Sequence, residues 1–242
     1  MKRSEFIQLF FSSIYFYSFT YCNEIETDID KEILIGKGKP KLVGNGYKLL
    51  SEVSKAYLEM KNAAEIDKVN LKIVSSYRSF NHQKRIWNRK YNDFINSGLS
   101  GEKAIRKIIE YSTIPGSSRH HWGTEIDIIE NNHNIEGDVL LPKFFHDSGP
   151  FENMRIWMEK NSEKFGFYKV YTNNEFRKGF LYEPWHYSYK KISVPFYRNY
   201  LKIDLLETLK AENDLLGKKY LDKFFIKKYI EENIKGISKK LI

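Results

Sequence analysis

His120 and Asp127 lie close together in the chain and His186 lies far downstream, yet the three side chains read as one set. Imidazole nitrogen and carboxylate oxygen are donors that zinc accepts, and a catalytic zinc keeps a fourth position for water. The two segments that carry them are Ser118-Arg119-His120-His121-Trp122-Gly123-Thr124-Glu125-Ile126-Asp127 and Glu183-Pro184-Trp185-His186. A fold that uses the set must bring these segments together. Glu183, three residues ahead of His186, is then placed to act as a general base. Any one of these histidines alone reads more simply as a surface or packed side chain; their joint occurrence with Gly123, Glu183 and Arg78 points to a metal site.

The pattern around these segments sets the expected elements. Apolar residues from Tyr47 to Ile66 recur at three and four, which predicts an amphipathic helix. Leu71-Lys72-Ile73-Val74 is a strand pattern, so Arg78 falls just beyond a strand end. Helices are predicted from Asn81 to Ile95 and from Glu102 to Tyr111, with Pro115-Gly116 stopping the second. A strand beginning near Thr124 puts Glu125 and Asp127 on one face, and Ile126 and Ile128 on the other, toward the core. A helix from Glu152 to Lys164 ends at Gly166, and Glu183 to Tyr189 is rich in strand formers. Two helices rich in Lys, Glu and Leu follow, at 203–214 and 218–235.

At these residues the sequence resembles the zinc D-alanyl-D-alanine carboxypeptidases of the vancomycin-resistance type, a group that also holds lysostaphin-like peptidases and the hedgehog signalling domain. Their Ser-x-His-x-x-Gly-x-x-x-Asp and Glu-x-x-His patterns are both present, and Ser75-Ser76-Tyr77-Arg78-Ser79 with Gln83 is similar to the segment upstream of the metal motif. The resemblance spans roughly residues 46 to 190. It implies an α+β fold, a small antiparallel sheet with packed helices, here with a C-terminal helical extension. It implies one zinc per chain on His120, Asp127 and His186, with Glu183 as base and Arg78 stabilising the oxyanion. It also implies substrate contacts from Ser118, Gln83 and, less directly, Tyr77. The implied reaction removes a C-terminal D-alanine from peptidoglycan stem peptides. An L,D-carboxypeptidase, an L-Ala-D-Glu endopeptidase and a non-catalytic cell-wall binding module of the same fold are the alternatives. Two positions depart from the pattern: Glu125 stands where many relatives have a small residue, and Ser188 where they often have arginine. Glu125 is expected to pair with Arg119 or another cation, or to add negative charge to the site; a structural salt bridge is the preferred reading, on which Glu125→Ala affects stability more than turnover. His121 is expected to pack or support a ligand rather than bind metal, and His82, His133 and His146 to be solvent-exposed.

Domain organisation follows from the same reading: 1–22 as signal peptide or membrane anchor, 23–45 as a linker, 46–200 as the peptidase domain and 201–242 as a basic helical extension. Met1-Lys2-Arg3 followed by the apolar run from Phe6 to Phe19 has the layout of a secretory signal and is short for a membrane span. An exported, periplasmic or extracytoplasmic location is the expectation. Cys22, the sole cysteine, excludes an intramolecular disulfide and is a candidate for lipidation. The net charge of +9 suits an anionic wall or lipid surface, while no helix-turn-helix, zinc-finger or RNA-recognition signature points to nucleic acid. The Lys-rich C-terminal stripe with Leu221, Phe224, Phe225 and Tyr229 is expected to pack on its own domain. Oligomeric state is open.

Overall fold

The computed structural model describes residues 29–133 and 135–242. The expected signal segment and Cys22 lie outside the described residues. Among the described residues no helix is long and apolar enough to cross a membrane.

The segment read as linker carries structure. Helix α1 (Lys31–Leu34) is capped by Asp30, whose side chain accepts from Glu32 N–H, and it buries Leu34 and Ile35. Trp122 Nε1 donates to the Leu34 carbonyl at 3.1 Å, so residues 31–35 are tied to the metal-motif loop. Strands β1 (Leu42–Val43) and β2 (Leu49–Leu50) then form a hairpin. The predicted helix from Tyr47 therefore starts later, as α2 (Ser51–Ile66), because Leu49 and Leu50 satisfy their backbone groups across the hairpin first.

Strand β3 (Leu71–Ser75) leads to helix α3 (Phe80–Asn96), whose N-cap Ser79 accepts from His82 N–H. Helix α4 (Gly101–Ile108) is capped in the same way by Ser100. Such caps satisfy amide donors that a helix start leaves unpaired. Strand β4 (Glu125–Glu130), helix α5 (Glu152–Asn161) and strands β5 (Phe167–Lys169) and β6 (His186–Tyr189) complete an antiparallel four-stranded sheet in the order β3-β4-β6-β5. The α+β expectation holds.

Side chains on one sheet face, including Ile126, Ile128 and Tyr187, join α2 and α5 in one apolar cluster with Val53, Met60, Met154 and Trp157. A second cluster joins Trp87, Ile105, Trp122 and Val170 to Leu205, Leu209, Ile226, Tyr229 and Leu241. The C-terminal segment thus shares a core with α3, α4 and the metal-motif loop. Its helices are shorter than the predicted spans: α6 (Lys190–Tyr200), which the sequence reading did not assign, precedes α7 (Leu205–Lys210) and α8 (Lys223–Tyr229). Helix α6 contains Pro195; burial of Tyr197 and Tyr200 stabilises it against the lost backbone hydrogen bond. Of the C-terminal apolar stripe, Leu221 and Tyr229 are buried and Phe224 is exposed, which agrees with packing on the chain's own domain.

Deleting residues 203–242 removes an entire wall of the second cluster. The shortened protein is expected to lose cooperative melting by circular dichroism and to shift its tryptophan emission toward that of the unfolded chain. Leu209→Ala alone should cost about 2–5 kcal/mol in urea denaturation.

Candidate metal centre and active site

The β4–β6 register pairs Asp127 with His186 and Glu125 with Ser188. Residues opposite one another in an antiparallel pair project to the same side, so these four side chains share the sheet face away from the α2/α5 cluster. His120 reaches that face from a 3-10 turn, Arg119–Trp122. Gly123, which ends the turn, holds φ at +69°, and a Cβ there would press on Leu42. That conformation favours glycine.

His120, Asp127 and His186 converge as expected: one donor atom from each lies within 4.8 Å of the others, and all three residues are buried. His120 Nδ1 lies 2.6 Å from the Ser76 carbonyl. A carbonyl only accepts, so Nδ1 donates and the lone pair sits on Nε2, 3.3 Å from Asp127 Oδ2. Both His120 Nε2 and Asp127 Oδ1 are buried without a hydrogen-bond partner. Orphaned buried acceptors are costly, and a cation between them would satisfy both; the donor set fits a divalent metal. Burial pushes His120 down to about 4, with the nearby Arg78 adding to the effect. Burial also works against the Asp127 charge, but His120, His186 and Arg78 hold its carboxyl below the usual range.

His186 is gripped at both ring nitrogens. Nδ1 lies 2.8 Å from Glu183 Oε2, and Nε2 lies 3.0 Å from Glu125 Oε2. Burial opposes its charge, yet the hydrogen bonds to Glu125 and Glu183 raise it to about 10. Glu183 is itself buried, and burial raises its pKa above the ordinary glutamate value despite the His186 contact. A raised carboxyl pKa suits a group that must take up and release a proton. Trp185, between them, packs its ring 5.5 Å from Phe145 and fixes the segment. Tyr171 meets His186 edge-on at 5.1 Å.

Glu125 and Arg119 form the expected ion pair, Nε to Oε2 at 3.3 Å, both buried. Arg78 donates from Nη2 to Asp127 Oδ2 at 3.3 Å and from Nη1 to Gln83 Oε1 at 3.2 Å.

Part of this set lines a cavity of about 520 Å³. Arg78, Ser118, His120, Asp127, Glu183 and His186 all face it, but the other two substrate-contact candidates do not. Gln83 is fully buried, and its amide is spent on Arg78 and on the Thr113 carbonyl at 2.9 Å; it braces the arginine. Tyr77 lines a separate groove with Gly36, Lys37 and Phe80. Tyr77 and Arg78 are neighbours in the segment that joins β3 to α3, and their side chains face different grooves. Lys90, which the sequence reading passed over, lines the cavity from α3. Its ammonium donates to Ser112 Oγ at 2.6 Å and has no carboxylate within 4.0 Å among the described residues.

His121 supports the site from behind, as expected. Its Nε2 accepts from Gly116 N–H at 3.2 Å, so Nδ1 donates to the Arg78 carbonyl at 2.6 Å. Gly36 leaves room for this ring; a Cβ there would collide with it. His82 and His133 are exposed, whereas His146 is half-buried beside Tyr182.

Residues 46–192 match the family profile described as D-alanyl-D-alanine carboxypeptidase (VanY). The chain belongs to this family. It is 27% identical over 153 residues to the D-alanyl-D-alanine carboxypeptidase of Enterococcus faecalis, a match covering 63% of this chain and 52% of that protein. The chain therefore spans about half the length of that relative. The solved structure of VanYB in complex with D-alanine-D-alanine aligns with a TM-score of 0.51 and 25% identity, over 72% of this chain and 90% of the other. A vancomycin-resistance D,D-pentapeptidase VanY solved with Zn(II) shares the fold, with a TM-score of 0.51 and 22% identity over 76% of this chain and 89% of its own.

Burial pushes His121 down to about 3 from its ordinary 6.5. The unfolded chain takes up a proton below 6.5 that the folded chain refuses until about 3. This contribution to stability is complete above 6.5 and is lost as pH falls through that window, by about 1.4 kcal/mol per pH unit. Urea midpoints are expected to fall from pH 7 to pH 5, with a flatter dependence in His121→Gln.

Proposed function

We propose that this protein is a zinc-dependent D-alanyl-D-alanine carboxypeptidase that removes the terminal D-alanine from peptidoglycan stem peptides. The observation that carries the reading is the convergence of His120, Asp127 and His186 beside the buried carboxylate of Glu183. One zinc ion held by those three residues would supply a water with its pKa lowered to about 7 and a Lewis acid for the scissile carbonyl.

The chain's own groups do the rest. Glu183 takes the proton from the attacking water and delivers it to the leaving amine, and the packing of Trp185 on Phe145 keeps the 183–186 segment, and with it the carboxylate, at that face of the site. Arg78, braced by Gln83, donates to the carbonyl oxygen as negative charge develops. Ser118 at the cavity wall hydrogen-bonds the substrate backbone. A carboxypeptidase must also recognise a free carboxylate, and Lys90 in the cavity wall supports that over an endopeptidase cut. The apolar run at residues 6–19, read as a secretory signal, supports action outside the cytoplasm, where this substrate is found.

Mass spectrometry of stem pentapeptide after incubation with the protein tests the reading. Loss of one alanine, abolished by chelation and reduced about 10²- to 10⁴-fold in Glu183→Gln, is the expected result. Arg78→Ala should cost about 10²- to 10³-fold in kcat. Cleavage of tetrapeptide instead would make the enzyme an L,D-carboxypeptidase. No cleavage by a folded, zinc-loaded protein would leave a binding module.

A further inference from the structure

Glu125 has no exposed surface, and its two oxygens are fully engaged. Oε1 accepts from Ser188 Oγ at 2.6 Å, Thr124 Oγ1 at 2.9 Å and Arg119 Nη2 at 3.4 Å. Oε2 accepts from Arg119 Nε at 3.3 Å and faces His186 Nε2 at 3.0 Å. The Arg119 guanidinium is itself anchored by Ser188 Oγ at 2.8 Å and stacks 4.6 Å above the Trp122 ring. Ser188 Oγ also lies 2.7 Å from Ser193 Oγ. If Glu125 served the ion pair alone, nothing would require its second oxygen to end on a metal-binding histidine.

We infer that Glu125 is a positioning residue for the metal centre: it accepts the Nε2 proton of His186 and thereby commits Nδ1 to the metal. The inference rests on the metal-site reading given under Proposed function. Opposite an ionised carboxylate, Nε2 must carry hydrogen, because a lone pair there would face a negative oxygen. Nδ1 faces Glu183 Oε2 at 2.8 Å and Asp127 Oδ1 at 3.8 Å and carries hydrogen by the same argument, so with Nε2 held by Glu125 it is the Nδ1 proton that a cation beside Asp127 would displace. Metal-binding histidines depend on such a partner at the other ring nitrogen for tautomer, orientation and basicity. Arg119 balances the added negative charge, so the pair stiffens His186 without making the site more anionic. The register supplies the geometry: Glu125 is two residues from Asp127 on one strand, and Ser188 is two from His186 on the other.

The role differs from that of a salt bridge that only stabilises the fold, and zinc affinity separates the two. The full chain is stripped of metal and titrated with zinc against a chromophoric chelator, as wild type, Glu125→Ala and Glu125→Gln, with melting temperatures recorded in parallel. Glu125→Ala is expected to bind zinc about 10- to 100-fold more weakly and to change the visible absorption of the cobalt(II) form. Glu125→Gln keeps the side chain's volume and an acceptor for Nε2–H, so it is expected to restore part of the affinity and remain about three- to tenfold weaker than wild type. If Glu125→Ala does not fold, the glutamine variant decides alone. Lowered melting temperature with zinc affinity within about twofold of wild type in the folded variants overturns the positioning role and leaves the metal site standing. Failure of the wild type to bind one equivalent of zinc overturns both.

Discussion

Antiparallel pairing of β4 with β6 places Asp127 opposite His186, and the rest of the site depends on that register. A slip of β4 by one residue against β6 would put Asp127 and His186 on opposite faces of the sheet, turning Asp127 into the α2/α5 cluster and bringing Ile126 to the cavity. The register is held from the apolar side, where Ile126, Ile128 and Tyr187 are buried with α2 and α5. On the polar side the same pairing sets Glu125 against Ser188. Sheet packing and site chemistry are therefore two faces of one strand pair.

His120 enters from outside the sheet and needs independent support. The Ser76 carbonyl fixes its tautomer, and His121 behind it joins the Gly116 amide to the Arg78 carbonyl. Arg78 in turn links Asp127 to Gln83. The α1 segment closes this arrangement from below, through the Leu34 carbonyl on Trp122 and the space that Gly36 leaves for His121. Among the described residues the buried site atoms without a partner are two donors, Arg78 Nε and Arg119 Nη1, and two acceptors. The unpaired acceptors, His120 Nε2 and Asp127 Oδ1, are the pair that a cation would satisfy.

Much of this was legible in the sequence because it is local. The alternation from Glu125 to Ile128 gives strand and facing together, and the Glu-x-x-His spacing puts the proposed base beside a proposed ligand. Ser79 and Ser100 cap helices that begin one residue ahead of the spans their apolar spacing predicts. What the sequence concealed was tertiary. Tyr77 and Gln83 sit close to Arg78 in the chain, but Tyr77 faces another groove and Gln83, buried on α3, lies beneath the arginine. Lys90 reaches the cavity because α3 packs against the 111–113 segment, which no spacing announces. Helix α6 was hidden by Pro195, and the 23–45 segment by its glycines, although its described part buries Leu34 and Ile35.

The proposed activity depends on one cation being held by two distant segments of chain. Anomalous diffraction at the zinc edge from zinc-loaded crystals tests this directly. A single peak bounded by His120 Nε2, the Asp127 carboxylate and His186 Nδ1 is the expected result. A peak elsewhere, or none at this face of the β4–β6 pair in crystals that retain the fold, would contradict it.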